Sequence, residues 1–219
     1  GSVWLRLGAR VTVVEMMPRL APGLDRQVGK KLEKILQRQG FEFRYETRVV
    51  ETKVTDGKVD VVLEKEGQKE VVSCDRVLIA IGRRPSHRGL GIQEAGVKVD
   101  ANGQIEVEEN YRTEVPSIFA IGDVIAGPML AHRASAEGNA VADFLAKRPG
   151  EVNYDCIPSI VYTFPEVACV GLTEEQLIER NIPYRSATHP CSAIARARCL
   201  GEHEGMVKIL AHKRSDRVL

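Results

Sequence analysis

The sequence predicts an α/β fold in three parts. Residues 1–83 read as a partial Rossmann-like domain, 84–150 as a central segment, and 151–219 as a partial α+β domain. Three observations predict this. Continuous apolar runs at 75–82 (DRVLIAIG) and 117–123 (SIFAIGD) have the pattern of strands buried on both faces. Segments with helical spacing alternate with them, at 22–40 and 131–147. After the linker-like KRPGEVNYD the pattern changes to short strands around one short helix.

Taken in order, SVWLRLG reads as the last turns of an amphipathic helix closed by Gly8, with no start signal before it. The β-branched run ARVTVVE follows as a strand. In PGLDRQVGKKLEKILQRQG, Leu24, Val28, Leu32, Ile35 and Leu36 share a helical face. Asp25 is placed to cap that helix and Gly40 to stop it. Residues 41–73 alternate apolar and polar, with turn signals at Asp56-Gly57 and Glu66-Gly67, and predict an antiparallel meander. Residues 83–116 are loop-rich in Pro and Gly. Beyond 150, SIVYTF, EVACVG, YRSATH and MVKILAH predict strands. Thr173 and Gln176 form a capping box for a helix to Arg180. SDRVL reads as the start of a further strand, so the sequence is read as an internal segment of a longer chain.

The totals exclude several classes. A net charge of +1 argues against a polybasic nucleic-acid surface. No apolar run approaches the roughly 18–20 residues that span a bilayer, and no signal segment opens the chain. The five cysteines contain no C-x-x-C pair, which argues against a zinc site, and their odd number argues against a secreted disulfide framework. A reducing compartment is expected.

Chemistry concentrates at three strand ends. Glu15 ends the strand that follows a helix, where an acid can accept bonds from ribose hydroxyls and repel a 2′-phosphate; a solvated strand end would carry the same residue. Gly82, in AIGRRP, permits close backbone approach to a ligand, with Arg83 and Arg84 beside it; a turn with two solvated arginines reads equally well. Asp123 sits where a strand meets a loop and can accept from sugar or polyol hydroxyls, or simply cap a turn. Met129, Leu130, Ala131 and His132 open a helix whose free N–H groups carry partial positive charge, suited to an electron-rich ring oxygen or a phosphate. His132 also reads as an ordinary exposed first-turn residue.

These residues carry a resemblance. TEVPSIFAIGDVIAGPMLAHRASAEG resembles the second FAD-binding segment of the dihydrolipoyl dehydrogenases, within the class I pyridine nucleotide-disulfide oxidoreductases. RLGARVTVVE, LIAIGRRP and PSIVYTFPEVACVGLTEEQL resemble the same family in the same order, so the likeness covers essentially the whole chain. It implies an NAD-binding domain at 1–83, an FAD-binding central segment at 84–150 and an interface domain at 151–219. Glu15 would hold the adenosine ribose of NAD, Val49 would line the adenine pocket, and Gly82 would meet NAD through its backbone. Asp123 would bind the ribityl or pyrophosphate region of FAD. Met129, Leu130, Ala131 and His132 would set a helix start at the flavin's pyrimidine edge.

The resemblance implies oxidation of protein-bound dihydrolipoamide with reduction of NAD, by a homodimer that serves lipoyl domains of 2-oxo acid dehydrogenase complexes. The compartment would be the bacterial cytoplasm or the mitochondrial matrix. The family's redox pair is spaced C-x-x-x-x-C, and no two cysteines here have that spacing. Its catalytic base lies in a His-Pro motif late in the interface domain; His189-Pro190 comes too early and falls in an expected strand. The chain alone is therefore expected to be inactive and, lacking what should be the central strand of the NAD domain, to fold poorly. Two other readings stand beside this one: a truncated, non-catalytic fragment that binds nucleotide or a partner, and a sister flavoprotein disulfide reductase, which Glu15 and AGPMLAH disfavour.

Overall fold

A computed structural model describes all 219 residues. The chain divides into two compact units, Gly1–Leu78 with Ile160–Leu219, and Ile79–Ser159. None of its helices is long and apolar enough to cross a membrane.

The first unit begins with helix α1 (Ser2–Arg6) and strand β1 (Val11–Val14). Helix α2 (Arg26–Gln39) returns the chain to strand β2 (Phe41–Arg44), which pairs parallel with β1 from Val11↔Phe41 to Val14↔Arg44. A parallel pair needs such a crossover, because a tight hairpin cannot make one. Asp25 starts α2 by accepting the amides of Gln27 and Val28 through its side chain. Leu32, Ile35 and Leu36 are buried along one stripe of α2. Leu32 and Leu36 meet Leu24 and Phe41 of β2, with Val161, Val167 and Cys169 packed alongside. Full burial of each such aliphatic side chain is worth about 1.5–3 kcal/mol, so this cluster is the main fastening of the unit.

Strands β3 (Arg48–Thr55), β4 (Lys58–Lys65) and β5 (Gln68–Cys74) form the antiparallel meander. Its turns lie where expected, with Asp56 and Gly57 at φ 50° and 80°. Two central residues with positive φ match the right-handed twist of the flanking strands. Residues 41–44 do not belong to the meander, contrary to the expectation from their alternation. Their hydrogen bonds go to β1, which a period of two cannot reveal.

The unit's C-terminal portion holds the strand Val167–Cys169, α4 (Glu174–Glu179), β8 (Tyr184–Pro190), α5 (Ala195–Leu200) and β9 (Met206–His212). Strand β6 (Ser159–Val161) pairs with β7 (Val167–Cys169), and β8 pairs antiparallel with β9. Helix α4 has the predicted capping box, formed by Thr173 and Gln176, and buries Leu177 completely. Helix α5 carries no spacing that announced it. Val218 makes only an isolated bridge to Ala211, where SDRVL had suggested a strand.

The second unit packs Val97, Ile105, Tyr111, Ala120, Ile125 and Ala140 around helix α3 (Ala131–Leu145). Two expected strands are absent as ladders. Residues 75–82 pair with no strand, and Leu78, Ile79 and Ile81 are 71%, 75% and 92% exposed. An apolar run becomes a strand only where a neighbour supplies its hydrogen bonds. Residues 117–123 spend theirs singly: Phe119 bridges Arg112, the Ala120 amide donates to the Tyr111 carbonyl, and Gly122 opens a single 3-10 turn, Gly122–Val124.

Candidate functional site

The site in the second unit is built around the start of α3. Leu130 occupies the N-cap in extended conformation and makes no side-chain cap bond; the first turn holds no acid. A helix start leaves its first N–H groups without intrahelical partners. Here no side chain of the cap position takes them. They carry the positive end of a 15-residue helix.

The loop before α3 is shaped by a buried charge network. Arg133 and Glu137, one helical turn apart, are 2% and 0% exposed. The Arg133 Nε lies 2.7 Å from Glu137 Oε1, an ion pair in which the N–H is not aimed at the oxygen. The guanidinium points its other nitrogens back into the loop. Nη1 donates to the Pro128 carbonyl at 2.9 Å and Nη2 to the Ala126 carbonyl at 2.5 Å. Gly127 rests directly on this group: a Cβ there would lie 2.6 Å from Nη1, and its φ is +123°. Glu137 Oε2 accepts the Gly122 amide at 2.7 Å, and Oε1 accepts the Tyr154 hydroxyl at 2.8 Å. Gly122 has φ +73°, and a Cβ there would meet the Ala134 Cβ at 2.9 Å.

The Tyr154 hydroxyl is also 2.9 Å from that of Tyr111. Burial of the hydroxyl, the Tyr111 bond and the Glu137 carboxylate push the Tyr154 phenol well above its ordinary range. It therefore remains a donor to Glu137 at any physiological pH. The Tyr154 ring lies beneath the Arg133 guanidinium at 5.7 Å, a cation–π contact.

On the open side of the loop, the Asp123 carboxylate is about half exposed and 3.7 Å from Arg83. The His132 Nε2 donates to the Pro158 carbonyl at 2.7 Å, which fixes its ring tautomer. Asp123, Met129, Leu130, Ala131 and His132 thus lie along one continuous turn and helix start. Gly82, at φ +110° and exposed, falls in the same unit as Asp123.

Glu15 and Val49 lie in the first unit. Glu15 follows β1 directly, and its Oε1 accepts the Met17 amide at 2.9 Å. Its carbonyl accepts the Thr47 amide, which ties the end of β1 to the chain two residues before Val49. Val49 is 44% exposed on β3, at the bulge before Glu51. His189 stands on β8 opposite Val207, in the expected strand. None of the five cysteines forms a disulfide.

Arg133, Glu137 and Tyr154 escaped the sequence reading. An Arg and a Glu four apart on a helix read as a solvated surface pair. The available signal was their setting among alanines and one glycine, in AHRASAEGNA, which can bring a helix face close to backbone.

Comparison with known proteins places this geometry in context. The family model described as pyridine nucleotide-disulphide oxidoreductase matches residues 1–138, and the dimerisation domain of the same family matches 157–219. The mitochondrial dihydrolipoyl dehydrogenases of Mus musculus and Homo sapiens are each 47% identical over 223 residues, covering 100% of this chain. The chain spans 44% of the length of these curated relatives. Among solved structures, the HOCl-induced flavoprotein disulfide reductase RclA from Escherichia coli superposes with TM-score 0.89 at 28% identity, covering 100% of this chain and 50% of that one. LpdA from Mycobacterium tuberculosis superposes with TM-score 0.90 at 24% identity, covering 100% of this chain and 47% of that one, and speaks to the fold alone.

Proposed function

From a chain that belongs to the pyridine nucleotide-disulphide oxidoreductase family, we propose the nucleotide-binding and dimer-forming part of an NAD-dependent dihydrolipoyl dehydrogenase. The reaction is oxidation of protein-bound dihydrolipoamide to lipoamide. The electron pair leaves the dithiol and ends on NAD, giving NADH and one proton. Relatives bearing that name match at 47% identity along the whole chain, against 28% for the RclA reductase, which supports this reading over a sister disulfide reductase.

The observation that carries the reading is the uncapped start of α3 beside Asp123 and two glycines of positive φ. FAD fits this donor set. Asp123 offers acceptors for ribityl hydroxyls, and the free N–H groups of Ala131 and His132 suit the pyrimidine edge of a flavin, where negative charge gathers on reduction. When bound, FAD supplies the two-electron chemistry that connects a dithiol to a nicotinamide. This chain's residues bind and orient it. Glu15 receives the ribose hydroxyls of NAD, Val49 packs on the adenine, and Gly82 admits the nicotinamide side by close backbone approach. In domain terms, 1–83 binds NAD, 84–150 binds FAD, and 151–219 builds the interface of a homodimer. The partners are lipoyl domains of 2-oxo acid dehydrogenase complexes, in the mitochondrial matrix or the bacterial cytoplasm.

The full-length protein tests this directly. Supplied with dihydrolipoamide and NAD, it is expected to form NADH and to carry stoichiometric FAD. NADP is expected to serve poorly, because Glu15 repels its 2′-phosphate. No NADH from dihydrolipoamide, with turnover confined to another disulfide, would overturn the assignment.

A further inference from the structure

We propose that Arg133, Glu137 and Tyr154 are positioning residues that fix the flavin-facing turn, residues 122–130, from beneath; this rests on the FAD reading above. The argument begins with where the network's bonds go. Arg133 holds two carbonyls of the turn, those of Ala126 and Pro128. Glu137 holds an amide at its other end, that of Gly122. One ion pair, fully buried, thus grips both ends of a turn that carries Asp123.

The grip has a consequence on the other side. In a trans peptide the C=O and the following N–H point in opposite directions. With the Ala126 and Pro128 carbonyls drawn in toward Arg133, the amide hydrogens of Gly127 and Met129 are turned outward. They extend the row of donors at the start of α3. The network therefore sets how many N–H groups the turn presents and where Asp123 stands. Gly127 is the residue that allows it, since any side chain would enter the guanidinium.

Tyr154 completes the device. Glu137 must serve two masters, the Gly122 amide on Oε2 and Arg133 on Oε1. The Tyr154 hydroxyl donates to Oε1 and holds that oxygen on the Arg133 side, with Tyr111 behind it. Removing this hydroxyl leaves the ion pair intact and frees its orientation. Tyr154 is 49% exposed, which makes it the one member whose change need not break the core.

The test uses the full-length protein, stripped of flavin and titrated with FAD, in wild type, Tyr154→Phe and Glu137→Gln. Flavin affinity, the visible spectrum and reduction potential of the bound flavin, and thermal unfolding of the stripped protein are measured together. Tyr154→Phe is expected to fold with a modestly lowered unfolding temperature, to bind FAD severalfold more weakly because Glu137 and the turn it holds lose their fixed orientation, and to shift the bound flavin's spectrum and potential. Glu137→Gln is expected to move the same quantities further. If Glu137→Gln does not fold, Tyr154→Phe alone decides. A wild-type protein that binds no FAD would bring down the function reading and this proposal with it. Wild-type binding with Tyr154→Phe unchanged in affinity, spectrum and potential would overturn this proposal alone. So would loss of unfolding temperature with an unaltered flavin spectrum, which marks a merely structural role.

Discussion

The longest helices of the two units, α2 and α3, start in opposite ways. In the first unit, α2 and α4 are closed by side chains. Asp25 accepts the Gln27 and Val28 amides of α2 through Oδ1 and the Glu174 amide of α4 through Oδ2, while Glu175 accepts the Arg26 amide in return. Lys208 lies between the two acids, 2.7 Å from Asp25 Oδ2 and 2.5 Å from Glu174 Oε2, with its side chain 4% exposed. In the second unit, α3 has no side-chain cap, and its buried charges turn instead to the loop that precedes it. The same electropositive helix end is a joint where α2 and α4 are closed and, on the proposed reading, a binding surface at the open start of α3.

The largest predicted effect comes from breaking the second network. Glu137→Ala strands a buried guanidinium and is expected to cost about 3–5 kcal/mol, read as a lower midpoint in urea unfolding followed through the second unit. Lys208→Met is next. It leaves the Asp25 and Glu174 carboxylates facing each other without a cation, with an expected cost of about 2–4 kcal/mol. At equal folded fraction it should leave FAD affinity unchanged; a loss of flavin binding would break the contrast between the two regions.

Acid sharpens the same contrast. For Asp25, burial raises the pKa, but the Lys208 bond and the backbone amides of Glu174 and Val28 outweigh it and hold the carboxyl below its ordinary range. Lys208 and Tyr184 lower that of Glu174. Folded-state values below the unfolded ones give stability that is present above the unfolded pKa and lost as pH falls through the folded value. The wild-type chain should therefore lose stability progressively below about pH 4, and Lys208→Met should flatten that slope. For Lys208, burial lowers the pKa, but Asp25 and Glu174 outweigh it and raise the value above the ordinary one. Its contribution persists to about pH 10 and is lost as pH rises through the folded value.

Smaller effects separate joint from surface most cleanly. Thr173→Ala removes the α4 cap and should cost about 1 kcal/mol, measurable by denaturant unfolding, with no effect on flavin. Leu130→Ser supplies the cap that α3 lacks. It should stabilise the stripped protein by up to about 1 kcal/mol while weakening FAD, since the new hydroxyl competes for the same N–H groups. Stabilisation with unchanged FAD affinity would show that the α3 start is not the flavin contact.

What was legible in the sequence was local. The Asp25 cap, the Thr173–Gln176 box, the Asp56-Gly57 turn and the candidate turn at Gly122 and Asp123 each depend on residues a few positions apart. What was hidden depends on distant partners. Lys208 reaches Asp25 across 183 positions, and Tyr154 reaches Glu137 across 17. Phe41 and Phe43 alternate like meander residues, yet their strand pairs with β1. The run at 75–82 has the composition of a strand and no neighbour to make it one. Pattern reports which face a residue prefers; it does not report who stands opposite.

The measurement that tests the account most directly is amide hydrogen exchange of the full-length protein with and without FAD. The account predicts slowed exchange at Met129, Leu130, Ala131 and His132 on loading, and no change at Gln27, Val28 and Gln176, whose amides Asp25 and Thr173 already hold. Equal exchange at the start of α3 in the loaded and stripped protein would contradict it.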